Sequence, residues 1–433
     1  MKKKVLTDYE KKAKFMVLIC WLAYATVYVG KKNFNQCQPQ MIADGLSETW
    51  CGAIGACFLA CYAAGQFING WIGEKLHPKN MICGGLILAG FFNILMGFTS
   101  VSSPLLIAIV WGACGFACSM LWAPILRAVS IWTPASIAAD AAASLSLTIP
   151  VGTITTYIVC TVAFWLSGWR AAFIACGLIL VIGSIVYYAA FGKLKDHMVL
   201  PDQQDGSTEN AEQPVMAKTP INKTAAVFCF GMLFTAFAIV FNGMLKDGLD
   251  QWVPTLLSSN FISNDKIVPI ITTILPIFNI FGVYICKFFF LKFHMTELGT
   301  TALMFAFSTV AMALVAVMMV IGFKGIAAAI IVTLLLACSS ASMLGANTMI
   351  LNYIPLHYGK IGRASFLTGM LNCFSYAAAA GSSVLTGAVV ESNETNWLPV
   401  ILLFFGAAAA GAVFCFVGRK IMDRKLKELD NLE

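Results

Sequence analysis

"GKKNFNQCQP", Gly30 to Pro39, sets two adjacent lysines at the far end of an apolar run that begins near Phe15. "LKDGLDQWVP", Leu245 to Pro254, carries the same framework: Lys246, Gln251 and Pro254 stand at the spacing of Lys31, Gln36 and Pro39. The offset is 215 residues in a chain of 433. A lysine, a glutamine five later and a proline eight later, once in each half, read as an internal repeat that places one cation per half at a matched position.

Composition says what kind of repeat this is. The chain is 59% hydrophobic and only 11% charged, with a mean hydropathy of +0.81, whereas soluble domains carry about 25% charged residues. A hydrocarbon core of about 30 Å needs roughly 20 apolar residues at ~1.5 Å rise each. About twelve such spans can be marked, starting near Lys14, Glu48, Asn80, Ser103, Ala135, Trp169, Lys223, Ile267, Leu298, Gly325, Gly362 and Trp397. The expected fold is an all-α membrane protein of twelve transmembrane helices in two six-helix halves, residues 1–191 and 223–433. Between them, residues 192–222 are polar and contain Pro201, Pro214 and Pro220. That stretch has too little apolar content to pack a core and reads as a cytoplasmic linker.

Orientation follows from the cations. Lys2, Lys3, Lys4, Lys11, Lys12 and Lys14 precede the first span, and Arg419, Lys420, Arg424, Lys425 and Lys427 follow the last. By the positive-inside rule both termini are cytoplasmic, in a multi-pass cell (inner) membrane protein. The net charge of +7 then reflects topology, and there is no extramembrane domain through which nucleic acid would be bound. The first apolar stretch is too long for a signal-peptide core and is expected to stay as a helix. Of the fifteen cysteines, Cys57/Cys61 and Cys114/Cys118 are four apart inside apolar helices, where thiols pack as small side chains. No CxxC occurs, and the sequence leaves a Cys37–Cys51 bridge across the first outer loop open.

A lysine at a helix centre costs about 2.5–3.5 kcal/mol on insertion scales, so Lys31, Lys32 and Lys246 read either as a site for an anion or as lysines that snorkel to the outer interface. Adjacent helical residues point about 100° apart, so Lys31 and Lys32 do not share one direction. Asp247 and Asp250 are candidate partners for Lys246. Tyr24 and Tyr28 lie seven and three residues before Lys31, on about its face, and their hydroxyls suit the wall of an anion or sugar cavity. Trp122, Tyr376, Asn352 and Asn372 are further candidates, each equally readable as interhelical packing.

The stretch "YATVYVGKKNFNQCQP", Tyr24 to Pro39, resembles the first helix of the organophosphate:phosphate antiporter family of the major facilitator superfamily, and "LKDGLDQWVP" is similar to its seventh. "GQFINGWIGEKLHPKN" from Gly65 resembles the superfamily's loop between helices 2 and 3, "SMLWAPILRAVSIW" from Ser119 the family's helix 4, and "GRASFLTG" from Gly362 its helix 11. The departures are specific. Family members carry arginine where this chain has Lys31 and Lys246, lysine near Gln66, and a helix 5 histidine where this chain reads close to Ile149. Arginine grips phosphate bidentately, whereas lysine offers a point charge. The resemblance implies parallel repeats with the substrate between them near the midplane. It makes Lys31 the ligand and Lys32 a pairing or packing residue. It also implies a latch of Glu74, Lys75 and Arg127 against the positive N-terminus of helix 11 near Gly362. The alternative reading of those three charges is ordinary cytoplasmic surface charge.

No nucleophile elbow, P-loop or metal-ligand spacing occurs, so an enzyme is not expected, nor a cofactor. The expected function is secondary transport of a small organic anion, a sugar phosphate or glycerol phosphate exchanged for inorganic phosphate, by rocker-switch alternating access. The expected partners are the substrate, a counter-anion and the bilayer, for a chain acting as a monomer. Two alternatives stay open: a transporter-like membrane sensor of a phosphorylated sugar, and a carrier of a non-phosphate organic anion.

Overall fold

The computed structural model describes residues 8–133, 144–145, 147–194, 230–262, 265–357, 364–393 and 396–430, and among them the regular structure is helical throughout. Twelve spans are long and apolar enough to cross a membrane: α1 Tyr9–Ala43, α2 Glu48–Asn69, α3 Pro78–Gly97, α4 Pro104–Val129, α5 Thr148–Leu166, α6 Trp169–Gly192, α7 Gly231–Asn260, α8 Val268–Lys292, α9 Glu297–Ile321, α10 Ile326–Tyr353, α11 Leu367–Ser392 and α12 Leu398–Lys427. The expected starts at Ala135, Lys223 and Gly362, and nearly all of the linker, lie outside the described residues.

Local chemistry sets several of these starts. Before α2, the Ser47 hydroxyl accepts from the Trp50 amide; before α9, the Thr296 hydroxyl accepts from Gly299. Each satisfies one of the amides that a helix leaves without an internal partner. His77 does the same for Lys79 ahead of α3, with Pro78 in the first turn, where its missing N–H costs nothing. The outward faces carry Leu18, Phe91, Ile109, Ile182 and Val310, all exposed. Apolar side chains on such a surface suit lipid, which solvates them as well as a protein core does.

Among the described residues five spans are irregular: the first and fourth of each set of six, and α8, which is interrupted at Thr273. α1 breaks at Gly30–Lys32, α4 turns at Met120–Leu121, and α7 and α10 contain π-turns at Met244–Gly248 and Met349–Tyr353. The α10 turn has a covalent cause. Pro355 has no N–H for the carbonyl four residues back, that of Leu351, and the Thr368 hydroxyl of α11 donates to that carbonyl at 3.3 Å.

The first six spans meet the last six along three seams: α2 on α11, the C-terminal part of α1 on the C-terminal part of α7, and α5 on α8. The polar contacts that cross these seams cluster at the end away from the chain termini. Thr49 N–H donates to Glu391 at 2.9 Å, and the Ser383 hydroxyl to the Gly52 carbonyl at 3.0 Å. Cys37 and Cys51 are separate, buried free thiols.

Candidate functional site

The break in α1 takes the Phe34 amide away from the Gly30 carbonyl and onto the Asn33 side chain, and neighbouring spans supply polar partners around the break. Lys31 and Lys32 amides share the Tyr28 carbonyl, at 3.2 and 3.1 Å, and the Thr156 hydroxyl of α5 reaches the same oxygen at 3.1 Å. The Asn93 side chain of α3 donates to the Gly30 carbonyl at 3.1 Å and accepts from Asn33 at 2.8 Å. Non-helical backbone at membrane depth is tolerated only when its polar groups are paired in this way. The helix is interrupted just where the two lysines stand.

Lys31 is 8% exposed. Its ammonium lies 3.8 Å from the centre of the Tyr62 ring, with Tyr28 at 5.3 Å and Tyr376 at 5.4 Å. Tyr62 and Tyr376 meet edge to face at 5.1 Å across the α2–α11 seam, so one cation is caged by aromatic faces from both sets of spans. Behind them Tyr24 packs on Tyr28 at 5.5 Å and on Trp122 at 4.8 Å. Among the described residues Lys31 forms no ion pair with a carboxylate.

The other two lysines are paired. Lys32 lies 2.7 Å from Asp250 and 3.8 Å from Asp247, both on α7. Lys246 makes its ion pair with the adjacent Asp247 inside the π-turn, and sits 5.9 Å from the Tyr376 ring. Asp247 therefore partners Lys246, while Asp250 belongs to Lys32 across the seam and not to Lys246. Lys31, Lys32, Asn35, Asp247 and Gln251 all line one cavity of about 30 Å³. That is room for roughly one water, so a solute enters only when the surrounding spans part.

The repeat-matched glutamines also cross between the sets. Gln36 donates to the Thr272 hydroxyl of α8 at 3.0 Å. Gln251 donates to the Cys51 carbonyl at 3.4 Å and accepts from Ser383 at 3.0 Å. A larger concavity of about 420 Å³ opens at the end away from the termini, between Gln40, Asp44, Trp165, Arg170 and Lys266. Its Arg170–Asp44 pair is nearly half exposed on both sides, and such a pair is worth little.

Sequence reasoning missed Tyr62, which looks like any aromatic in an apolar helix, and Asn93, whose polarity inside α3 was a signal that went unused. Asn352 is exposed on α10 and Asn372 half-buried on α11. Of the three charges read as a latch, Arg127 donates to the Leu76 carbonyl at 3.1 Å, at the C-terminal cap of the helix that carries α2. Cations are favoured there by the helix dipole. Glu74 and Lys75 lie in that helix's last turn, but their side chains and Gly362 fall outside the described set.

Known proteins share both the fold and parts of the sequence. A bacterial homologue of the human lysosomal transporter Spinster, solved inward-facing and unoccupied, superposes with a TM-score of 0.74 at 13% identity, over 98% of this chain and 99% of that one. The "Probable hexose phosphate transport protein" of Chlamydia trachomatis serovar D is 28% identical over 163 residues, 37% of this chain and 35% of that protein. The "Glycerol-3-phosphate transporter" of Bacillus subtilis is 24% identical over 265 residues, 57% of this chain and 58% of that protein. The aligned stretches thus span about a third and under two thirds of these two sequence relatives. The family model of the Major Facilitator Superfamily matches residues 20–380. With twelve spans, irregular helices at matched places and that match, the chain belongs to the Major Facilitator Superfamily.

Proposed function

We propose that the chain is a secondary transporter of a small organic anion, a sugar phosphate or glycerol phosphate taken in exchange for inorganic phosphate. In this reading residues 1–191 and 223–433 rock about the site, joined by the linker 192–222, with both termini cytoplasmic. The observation that carries it is Lys31. It is buried at the break of α1, held on tyrosine rings, and without a carboxylate partner among the described residues, while Lys32 and Lys246 beside it are neutralised. A buried cation left without a carboxylate is costly unless an anion completes it. The hydroxyls of Tyr28, Tyr62 and Tyr376 supply donors for an anion's oxygens or faces for a sugar. The relatives named for hexose phosphate and glycerol 3-phosphate support the choice of substrate.

Counterflow in proteoliposomes tests this. Vesicles loaded with inorganic phosphate, glycerol 3-phosphate or glucose 6-phosphate are expected to take up the labelled solute by saturable exchange. Lys31→Gln is expected to raise the solute concentration needed for half-maximal exchange at least about tenfold. Absence of exchange for all three solutes in folded, reconstituted protein would overturn the reading.

A further inference from the structure

We infer that the site selects a singly charged anionic headgroup, and that Asp247 is the residue that sets this preference. The inference rests on the proposed binding of an anion at Lys31 and goes on to define its charge. Three lysines and two carboxylates converge here. Asp247 partners Lys246 and stands 3.8 Å from Lys32, and Asp250 holds Lys32 at 2.7 Å. None of these four side chains is more than 18% exposed. The pairings consume both carboxylates and the charge of two lysines, leaving one uncompensated positive charge, on Lys31.

A headgroup with one negative charge completes that count. A second negative charge has no cation left to meet it, and it would face Asp247, which lines the same small cavity as Lys31. Like charges at close range are repelled far more strongly in a buried site than in water, and an uncompensated buried charge is the costliest of the possible outcomes. The tyrosine hydroxyls supply hydrogen bonds but no positive charge to offset it. The chemical class is therefore a carboxylate, a sulfonate, or a phosphate or phosphomonoester in its singly ionised form. The second ionisation of a phosphomonoester falls near pH 6, so at neutral pH its doubly charged form is the disfavoured one.

The test uses full-length protein in detergent at pH 7.5 and two ligand pairs that share a body and differ in charge: glycerol 3-phosphate against 2,3-dihydroxypropane-1-sulfonate, and glucose 6-phosphate against 6-deoxy-6-sulfoglucose. Affinities are read by thermal shift and by calorimetry. The wild type is expected to bind each sulfonate at least tenfold more tightly than its phosphate partner. Asp247→Asn is expected to bring the phosphates up at least tenfold while the sulfonates change less than threefold. The double variant Asp247→Asn/Lys246→Gln returns the net charge of the cluster to its wild-type value and is expected to restore the wild-type ratio. Tighter binding of the phosphates by wild type overturns the inference, as does an Asp247→Asn ratio equal to that of the wild type. Should Asp247→Asn fail to fold, the wild-type ratio still decides the charge preference, and Lys246→Gln, which frees the Asp247 carboxylate, is expected to weaken the binding of every ligand, a loss that the double variant reverses only if Asp247 causes it. Lys31→Gln separates the two levels: wild-type binding of every ligand by that variant removes the anion site itself. Loss of binding there, with a ratio that Asp247 does not govern, removes only the charge selection.

Discussion

Lys31 and Lys246 occupy matched places in the repeat, yet their surroundings differ. Lys31 rests on the Tyr62 ring, whereas Lys246 is tied to Asp247. In the proposed site Lys31→Gln removes a charge-assisted contact to the anion and is expected to weaken binding by about 1.5–3 kcal/mol, roughly ten- to a hundred-fold. Lys246→Gln is expected to weaken binding indirectly, because it leaves Asp247 unpaired beside the Lys31 cavity and its charge then offsets that of Lys31. Removing that carboxylate as well, in Asp247→Asn/Lys246→Gln, is expected to recover the loss in a titration with one ligand, and a loss that persists in the double variant would mean that both lysines grip the anion. At this scale the cations were legible because a charge inside an apolar run stands out at once. The partition among them was not. It depends on Asp250 of α7 reaching Lys32 of α1, a contact between residues more than two hundred positions apart. Tyr62 was illegible for a different reason: composition cannot separate a ring that carries a cation from one that fills a core.

The elements that present these residues are the irregular ones, and their irregularity is held in place by side chains of their neighbours. Asn93 is the clearest case. It is fully buried and its amide serves the Gly30 carbonyl and Asn33 together. Asn93→Leu would leave both without that partner, at about 1–3 kcal/mol for each stranded buried group. The expected result is a lower Tm and weaker ligand binding with no change in the preference between singly and doubly charged ligands, since no charge is touched. A Tm equal to that of the wild type would mean that α1 holds its break without help. Away from the spans, burial together with the charges of Lys79 and Arg127 holds the His77 ring below its ordinary pKa. That favours the neutral ring, which accepts the Lys79 amide at the start of α3. Twelve spans could be read from hydropathy, and the matched prolines Pro39 and Pro254 from spacing. The π-turns could not, because they arise from how a backbone accommodates a proline or a close neighbour, and the periodicity of an apolar stretch is the same with or without one extra residue in a turn.

The whole molecule is closed at the end away from the termini, and the repeat accounts for part of the closure. Gln36 reaches Thr272 of α8 and Gln251 reaches Cys51 of α2, so each matched glutamine ties its own set of spans to the other. Between α2 and α11 the approach is closer still. A Cβ on Gly52 would stand 2.5 Å from the Ser383 carbonyl oxygen, and one on Gly387 2.4 Å from that of Glu48. Neither has room for a side chain while this end is shut. The glutamines were visible in the sequence as a repeat, but their partners come from the docking of one set on the other, which no spacing encodes. In the proposed alternating cycle this end must open, breaking the Lys32–Asp250 pair, both glutamine contacts and the glycine packing in one step. Gly52→Val therefore disfavours the closed end sterically, while Gln36→Leu with Gln251→Leu removes its polar ties. Both variants are expected to lengthen spin-label distances across the end away from the termini and to slow exchange, because the carrier no longer returns readily to the state described here. Glu74→Gln, if that residue belongs to a latch at the opposite end, should move the same distances the other way. Unchanged distances in Gly52→Val would mean that the α2–α11 seam does not part during transport. The opening would then have to come from α1 and α7 alone, where Lys32 and Asp250 meet.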